Sequence, residues 1–406
     1  MTRTPSTLRR VLLYSHDTYG LGHLRRNLAI AEHLLDGHPH LQVVLMTGSS
    51  VADRFSTPAR LKIVQLPPVI KVGDEDYQSR DPRWSTDLVR RSRSAIMKDT
   101  ARRFQPDVLL VDHAPQGMKK ELLPVFEVLR SESPATRIVL GLRDVIDTPE
   151  IVRNNWENAG VYDTLEEVYD RILVYGNADL FDVASLYGLS DEVSAKLTYC
   201  GYVSRHRYGT SARDDVEDFV LGIAGGGGDG AEVLAATLSA SAALARRCVV
   251  TTGPLMSEPD RRVLERVAAS HDHASIVEFV SDPSEMMSRA KVVVTMGGYN
   301  SLCELIALGA STVVIPRVHP RREQAIRAQM FADLGIVSVE LPGEDLASRL
   351  RDTLARVIDS EEVTSSTVLD LGGLDRIETA LELEASASRR HAESHRTARS
   401  TSKASS

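Results

Sequence analysis

At 406 residues the chain is too long for one small binding module, and at roughly 150 residues per domain it holds two or three domains. An apolar share of 42% with 26% charged residues supports buried cores and excludes a collagenous or wholly disordered chain, while a net charge of −8 argues against a globally basic nucleic-acid-binding surface. Three cysteines (Cys200, Cys248, Cys303) without a CxxC pair argue against a disulfide framework or zinc cluster. No apolar run approaches the ~18 residues of a spanning helix. The run 11–14 is too short for a signal-peptide core, so the expectation is a soluble cytoplasmic protein.

In chain order, the first predicted strand is 9–15 (RRVLLYS), followed by a glycine-containing loop, 16–23 (HDTYGLGH). A helix is predicted over 24–35, with Leu24, Leu28, Ala31 and Leu35 on one face. Further strands are predicted at 41–46, 62–65, 108–111, 137–141 and 171–174, with helices such as 83–104 and 119–131 between them. Alternating strands and helices imply a mostly parallel sheet covered on both faces. The pattern restarts at 219–223, followed by 224–230 (AGGGGDG), a helix over 231–246, and strands at 248–252, 275–279, 292–295, 312–315 and 337–340. The polar stretch 205–216 (RHRYGTSARDDV) reads as the connection between two similar halves. Beyond 388 the chain is rich in Ser, Ala and Arg without apolar periodicity, which predicts a disordered tail.

Several segments have the chemistry of a site. His23 sits where the first loop meets its helix, and ligands of such sheets bind outside the carboxyl ends of strands. Asp112 and His113 end the strand 108–111, which brings them to the same edge. A histidine with a carboxylate beside it is a general base held in one tautomer; a satisfied surface or core histidine is the plainer alternative. Arg143, in GLRD, reads either as an acceptor contact or as half of a structural ion pair. Residues 74–76 (DED) imitate a metal-binding pair but lie in a polar loop with no strand ahead, so a solvated loop is expected.

In the second half, four consecutive glycines (Gly225, Gly226, Gly227, Gly228) carry an entropic cost that close backbone approach to an anion explains better than a turn does. The segment lacks the ending of a P-loop and is not GxGxxG. In TMGGYNSLCE (295–304), Gly297 and Gly298 admit a ligand to the backbone and Asn300 and Ser301 suit a helix start, where free N–H groups favour phosphate. Glu304, about one turn on, is placed to accept from a pair of sugar hydroxyls; the alternative is a tight turn with an exposed Glu. Glu323 and Gln324, in PRVHPRREQAIRA (316–328), suit the reading of sugar hydroxyls, or else form a solvated helix start.

Together these segments resemble the GT-B glycosyltransferases of the family 28 group, over about 9–340 and most specifically in 277–328, where VEFVSDPSEMMSRAKVVVTMGGYNSLCELIALGASTVVIPRVHPRREQAIRA aligns with the donor-binding stretch. The resemblance implies two Rossmann-like domains facing a cleft. An N-terminal acceptor-side domain spans 1–207, a linker 208–216, a nucleotide-sugar domain 217–370, a helix crossing back 371–387, and a tail 388–406. It assigns the diphosphate to Gly225, Gly226, Gly227, Gly228, Gly297, Gly298, Asn300 and Ser301, and the nucleoside to Glu304 and the backbone of Val280. Glu323 and Gln324 face the donor hexose, His23 is the base with Asp112 its partner, and His113 and Arg143 lie on the acceptor side.

The implied activity is an inverting transfer of a hexose, an N-acetylhexosamine or a related sugar, from a UDP-linked donor to an acceptor hydroxyl. No metal or other cofactor is expected. The acceptor is lipid-linked, a polysaccharide or a small molecule, with no nucleic-acid partner. A cytoplasmic place, with at most peripheral contact at the inner face of the membrane, goes with this. A UDP-sugar 2-epimerase or hydrolase, and a non-catalytic nucleotide-sugar sensor, share the donor features. The family's turn differs from MGGYNS, and Glu323 stands where the family has glutamine, which leaves the hexose open.

Overall fold

The computed structural model describes residues 8–17, 21–71, 77–206, 215–226, 228–360 and 369–404. The first domain is built on strands β1 (Arg10–Ser15), β2 (Gln42–Thr47) and β3 (Leu61–Gln65), a small antiparallel ribbon of β4 (Val69–Lys71) and β5 (Tyr77–Ser79), and then β6 (Val108–Asp112), β7 (Arg137–Arg143), β8 (Arg171–Tyr175) and β9 (Leu197–Tyr199). Its main sheet has the order β3-β2-β1-β6-β7-β8-β9, with every pairing parallel. β1, β2 and β6 are almost uninterrupted apolar runs because helices cover both faces. The predicted face of the first helix, Gly22–Gly37, is the buried one: Leu24, Leu28, Ala31 and Leu35 all enter the core.

The second domain repeats the plan with β10 (Glu217–Ile223), β11 (Arg247–Thr251), β12 (Ala274–Val277), β13 (Ala290–Thr295), β14 (Thr312–Val314) and β15 (Ser338–Val339). Its order is β12-β11-β10-β13-β14-β15, again all parallel. In both sheets the strand order reverses once, between β1 and β6 and between β10 and β13. Chains leaving neighbouring strands there diverge to opposite faces and open a crevice at the carboxyl edge. The two crevices face one another.

Every strand predicted from apolar runs is present, within a few residues at its ends. The three that were not predicted, β4, β5 and β9, have three residues each, too short to show a period. The acidic run 74–76, residues 207–214 of the linker region and Gly227 lie outside the described residues.

A final helix, Gly373–Ala404, returns to the first domain and packs on β6, β7 and the helix Gly22–Gly37. Glu384 anchors it, accepting from Arg137 at 2.9 Å and Arg171 at 2.7 Å. The helix continues past 388, where composition predicts disorder. Residues 388–404 contain neither Gly nor Pro and include Ala, Arg and Glu, good helix formers that extend a helix already nucleated by packing.

Candidate active site

The two crevices enclose a cavity of about 730 Å³ between the domains. On the first-domain side, β1 ends at Ser15 and delivers His16, the helix Gly22–Gly37 presents His23 in its first turn, and β6 delivers Asp112 and His113. The parallel β1–β6 pairing makes these ends adjacent. His23 Nδ1 lies 2.6 Å from Asp112 Oδ2. The other carboxylate oxygen accepts from Arg26 Nε at 3.0 Å and from its terminal nitrogen at 2.6 Å. Arg26 is one turn beyond His23 and so shares its face. Its terminal nitrogen also lies 3.1 Å from His23 Nδ1. We place a proton on Nδ1, which donates to Asp112 Oδ2 and leaves Nε2 as the basic atom.

The electrostatics support this assignment. Burial alone would raise the Asp112 carboxyl, but the Arg26 guanidinium, followed by His23, holds it at about 2. Burial pushes the His23 imidazole below its ordinary value, and Asp112 offsets only part of that. His16 and His113 are pushed well below theirs, again chiefly by burial. Three largely neutral imidazoles therefore share the pocket, with ring centres 5.2 Å (His23 to His113) and 5.9 Å (His16 to His23) apart. Arg143, 3.3 Å from His113 Nε2, is lowered to about 10 by burial and by the neighbouring Arg26. Its Nε has no hydrogen-bond partner among the described residues, while the neighbouring Asp144 pairs with Arg327 at 2.8 Å.

Across the cavity lie two glycine turns. Gly225 and Gly226 follow β10, while Gly298, Asn300 and Ser301 follow β13. Gly297 adopts φ +79°, and a Cβ there would meet Val314 Cγ1 at 2.6 Å, so both backbone and packing demand glycine. A Cβ on Gly298 would meet nothing within 4 Å, which leaves that face open to a ligand.

The helix Tyr299–Ala307 starts without a side-chain cap and without an acidic residue in its first turn. Its free amides make it the stronger anion site of the two. The helix after the first turn, Ala231–Ala243, carries Glu232, and Asp229 lies just ahead of it. Arg317 neutralises Asp229 at 3.1 Å and also binds Glu323 at 2.6 Å. Glu323 Oε2 is buried with no partner among the described residues, and Gln324 accepts from the Arg317 N–H at 3.0 Å, which keeps its amide NH₂ available.

Among the candidates, the cavity brings together His23, His113, Arg143, Gly225, Gly226, Gly298, Asn300, Ser301, Glu323 and Gln324. Asp112 stands directly behind His23, and Gly297 shapes the turn from beneath. Gly228 and Val280 do not line it. Glu304 also stands outside the lining and is buried, not exposed: one oxygen faces Arg205 at 3.3 Å, and the other has no partner among the described residues. Asn300 is partly spent on the domain interface, donating to the Gly22 carbonyl at 2.6 Å.

Sequence reasoning missed His16, Arg26, Tyr77, Arg317 and Arg321, all of which line the cavity. His16 follows its strand as His113 does, and Arg26 is three residues from His23, so both were signalled. Tyr77 lies in the short ribbon and was not.

Residues 221–367 match the family model of the glycosyltransferase family 28 C-terminal domain. The second domain belongs to that family. Curated relatives include the UDP-N-acetylglucosamine--N-acetylmuramyl-(pentapeptide) pyrophosphoryl-undecaprenol N-acetylglucosamine transferases of Histophilus somni (27% identical, 22% of this chain and 26% of the relative) and Mannheimia succiniciproducens (28% identical, 35% and 41%). The chain thus aligns with less than half the length of these relatives.

Similar solved structures include MurG of Acinetobacter baumannii (TM-score 0.57, 11% identical, 92% of this chain and 99% of that one). A Listeria monocytogenes protein assigned as a UDP-N-acetylglucosamine 2-epimerase is also similar (TM-score 0.61, 11% identical, 92% and 95%). The fold of the whole chain, two Rossmann-like domains around a cleft, is that of the GT-B glycosyltransferases. No helix among the described residues is long and apolar enough to cross a membrane.

Proposed function

We propose that this family 28 protein is an inverting, metal-independent glycosyltransferase. It moves a hexose, of the N-acetylhexosamine class, from a UDP-linked donor to an acceptor hydroxyl, working in the cytoplasm or at the inner membrane face. The observation that carries this reading is the His23–Asp112 couple, facing the two glycine turns across one cavity. His23 Nε2 takes the hydroxyl proton as the acceptor oxygen bonds to the anomeric carbon. The bond from that carbon to the diphosphate breaks on the opposite side, so configuration inverts. The leaving diphosphate keeps the electron pair; the amides of the turn at 297–301 and the guanidiniums of Arg317 and Arg321 take up its charge. These fixed dipoles and cations supply the stabilisation that a metal would otherwise give. Gly225 and Gly226 complete the diphosphate cradle.

The test is UDP release from UDP-N-acetylglucosamine with and without bacterial lipid or glycan acceptors. Acceptor-dependent release supports transfer. An epimer or free sugar formed without acceptor favours the second reading, a 2-epimerase or hydrolase, which the similarity to the Listeria protein keeps in play.

The base should leave its mark on the pH profile. A base works while neutral, and burial lowers the His23 value, so the working form persists to lower pH. Asp112, at about 2, stays ionised throughout. The acidic limb of log kcat/KM is therefore expected below the ordinary 6.5. A limb above that value would mean that the Asp112 charge outweighs burial at His23, the reverse of the balance that keeps this imidazole neutral.

Glu304 belongs to the donor. We assign it the ribose hydroxyls, its unpartnered oxygen being a ready acceptor once a ribose displaces Arg205. A charge-assisted bond is worth about 1.5–3 kcal/mol. Glu304→Ala is thus expected to weaken UDP by at least about tenfold in calorimetry. Unchanged affinity removes Glu304 from the site.

A further inference from the structure

Away from the cleft, the contact between the first helix, Gly22–Gly37, and the returning helix, Gly373–Ala404, gathers two histidines and three carboxylates. His33 Nε2 lies 2.9 Å from Glu378 Oε2 and 3.5 Å from Asp375 Oδ1. His38 Nε2 lies 3.0 Å from Glu378 Oε1, and its Nδ1 lies 3.7 Å from Glu382 Oε1. The His38 side chain is only 4% exposed, and its Nε2 makes no hydrogen bond among the described residues despite the short distance. A Cβ on Gly37 would meet Glu378 Oε1 at 2.8 Å, so the carboxylate is seated against bare backbone.

We propose that this cluster is a divalent transition-metal site of the zinc class, formed by His33, Asp375 and Glu378. Donor atoms from these three residues already lie within 4.8 Å of one another. Around a tetrahedral zinc, with bonds of about 2.0–2.2 Å, they would stand roughly 3.4 Å apart. The His33–Asp375 distance of 3.5 Å meets that spacing, and the His33–Glu378 pair has only to open by about half an ångström. Asp375 and Glu378, three apart on one helix, present their carboxylates on one face, and His33 comes from the other helix. His38 Nε2 stands 3.0 Å from the second oxygen of Glu378, just outside the ligand set. Imidazole with carboxylates suits zinc, nickel or cobalt better than calcium, which takes six to eight oxygens. Bound metal would staple the last helix to the first domain, 345 residues away in sequence at the His33–Glu378 contact.

The experiment is calorimetric titration of zinc into the untagged full-length chain, with thermal melting alongside. One saturable site is expected, together with a rise in melting temperature. His33→Ala and Glu378→Gln should each weaken binding at least tenfold and abolish the rise, whereas His273→Ala, at an exposed histidine, changes neither. Asp375→Asn, at a half-exposed side chain, tests the same ligand set should the first two variants fail to fold. Absence of saturable binding, or equal affinity in wild type and Asp375→Asn, overturns the proposal.

Discussion

His23→Ala is expected to lower turnover by about 10²–10⁴-fold, the usual contribution of a general base, while UDP affinity stays essentially unchanged. The separation follows from position: His23 stands on the first-domain wall of the cavity, whereas the glycine turns and Glu323 stand on the other. His23→Gln keeps bulk and hydrogen bonding but removes the basic nitrogen, so it should fall as far. Asp112→Asn should also fall, by offering an amide where Nδ1–H needs an acceptor. That variant also leaves Arg26 without its carboxylate, so its stability has to be measured together with its rate. Steady-state rates under conditions where chemistry limits decide the matter. Wild-type turnover in both His23 variants would move the base to Asp112 or His113.

Glu121→Ala is expected to destabilise the first domain by about 3–5 kcal/mol, the range for stranding one member of a buried ion pair. Glu121 and Arg93 are both fully buried, and they meet through two short bonds, 2.6 Å from Nε and 2.7 Å from a terminal nitrogen. Tyr14 donates to the same carboxylate at 2.8 Å, and its hydroxyl lies 3.2 Å from His16 Nδ1. Removing the carboxylate leaves a guanidinium in a low-dielectric interior and frees the hydroxyl that meets His16. Arg93→Met with Glu121→Leu should recover most of the loss, because apolar groups of similar volume need no partner. Urea denaturation gives the comparison. A loss below about 1 kcal/mol in Glu121→Ala would mean that water reaches Arg93 and that the network is not sealed.

The sequence by itself determined the element order, the two-fold repetition of the α/β plan and the two glycine turns. Each is a local property: apolar runs of strand length, a helical stripe through Leu24, Leu28, Ala31 and Leu35, and glycines where only glycine fits, as at Gly297. It also marked His23 and Asp112, because residues just past a strand of such a sheet reach its ligand edge.

What only tertiary structure decided depends on pairings between distant strands and helices. The 2.6 Å contact of His23 with Asp112, 89 positions apart in the chain, exists because β6 lies beside β1. That placement also buries Arg26 against the same carboxylate and sets the pKa values of the pair. Glu304 looked like an exposed ligand or surface residue on its helix, and became a buried carboxylate facing Arg205 only when the segment 99 positions away packed on it. The His33, His38, Asp375 and Glu378 cluster left no trace in local spacing. Its residues come from the two ends of the chain, and burial joins them only after the last helix has crossed back over the first domain.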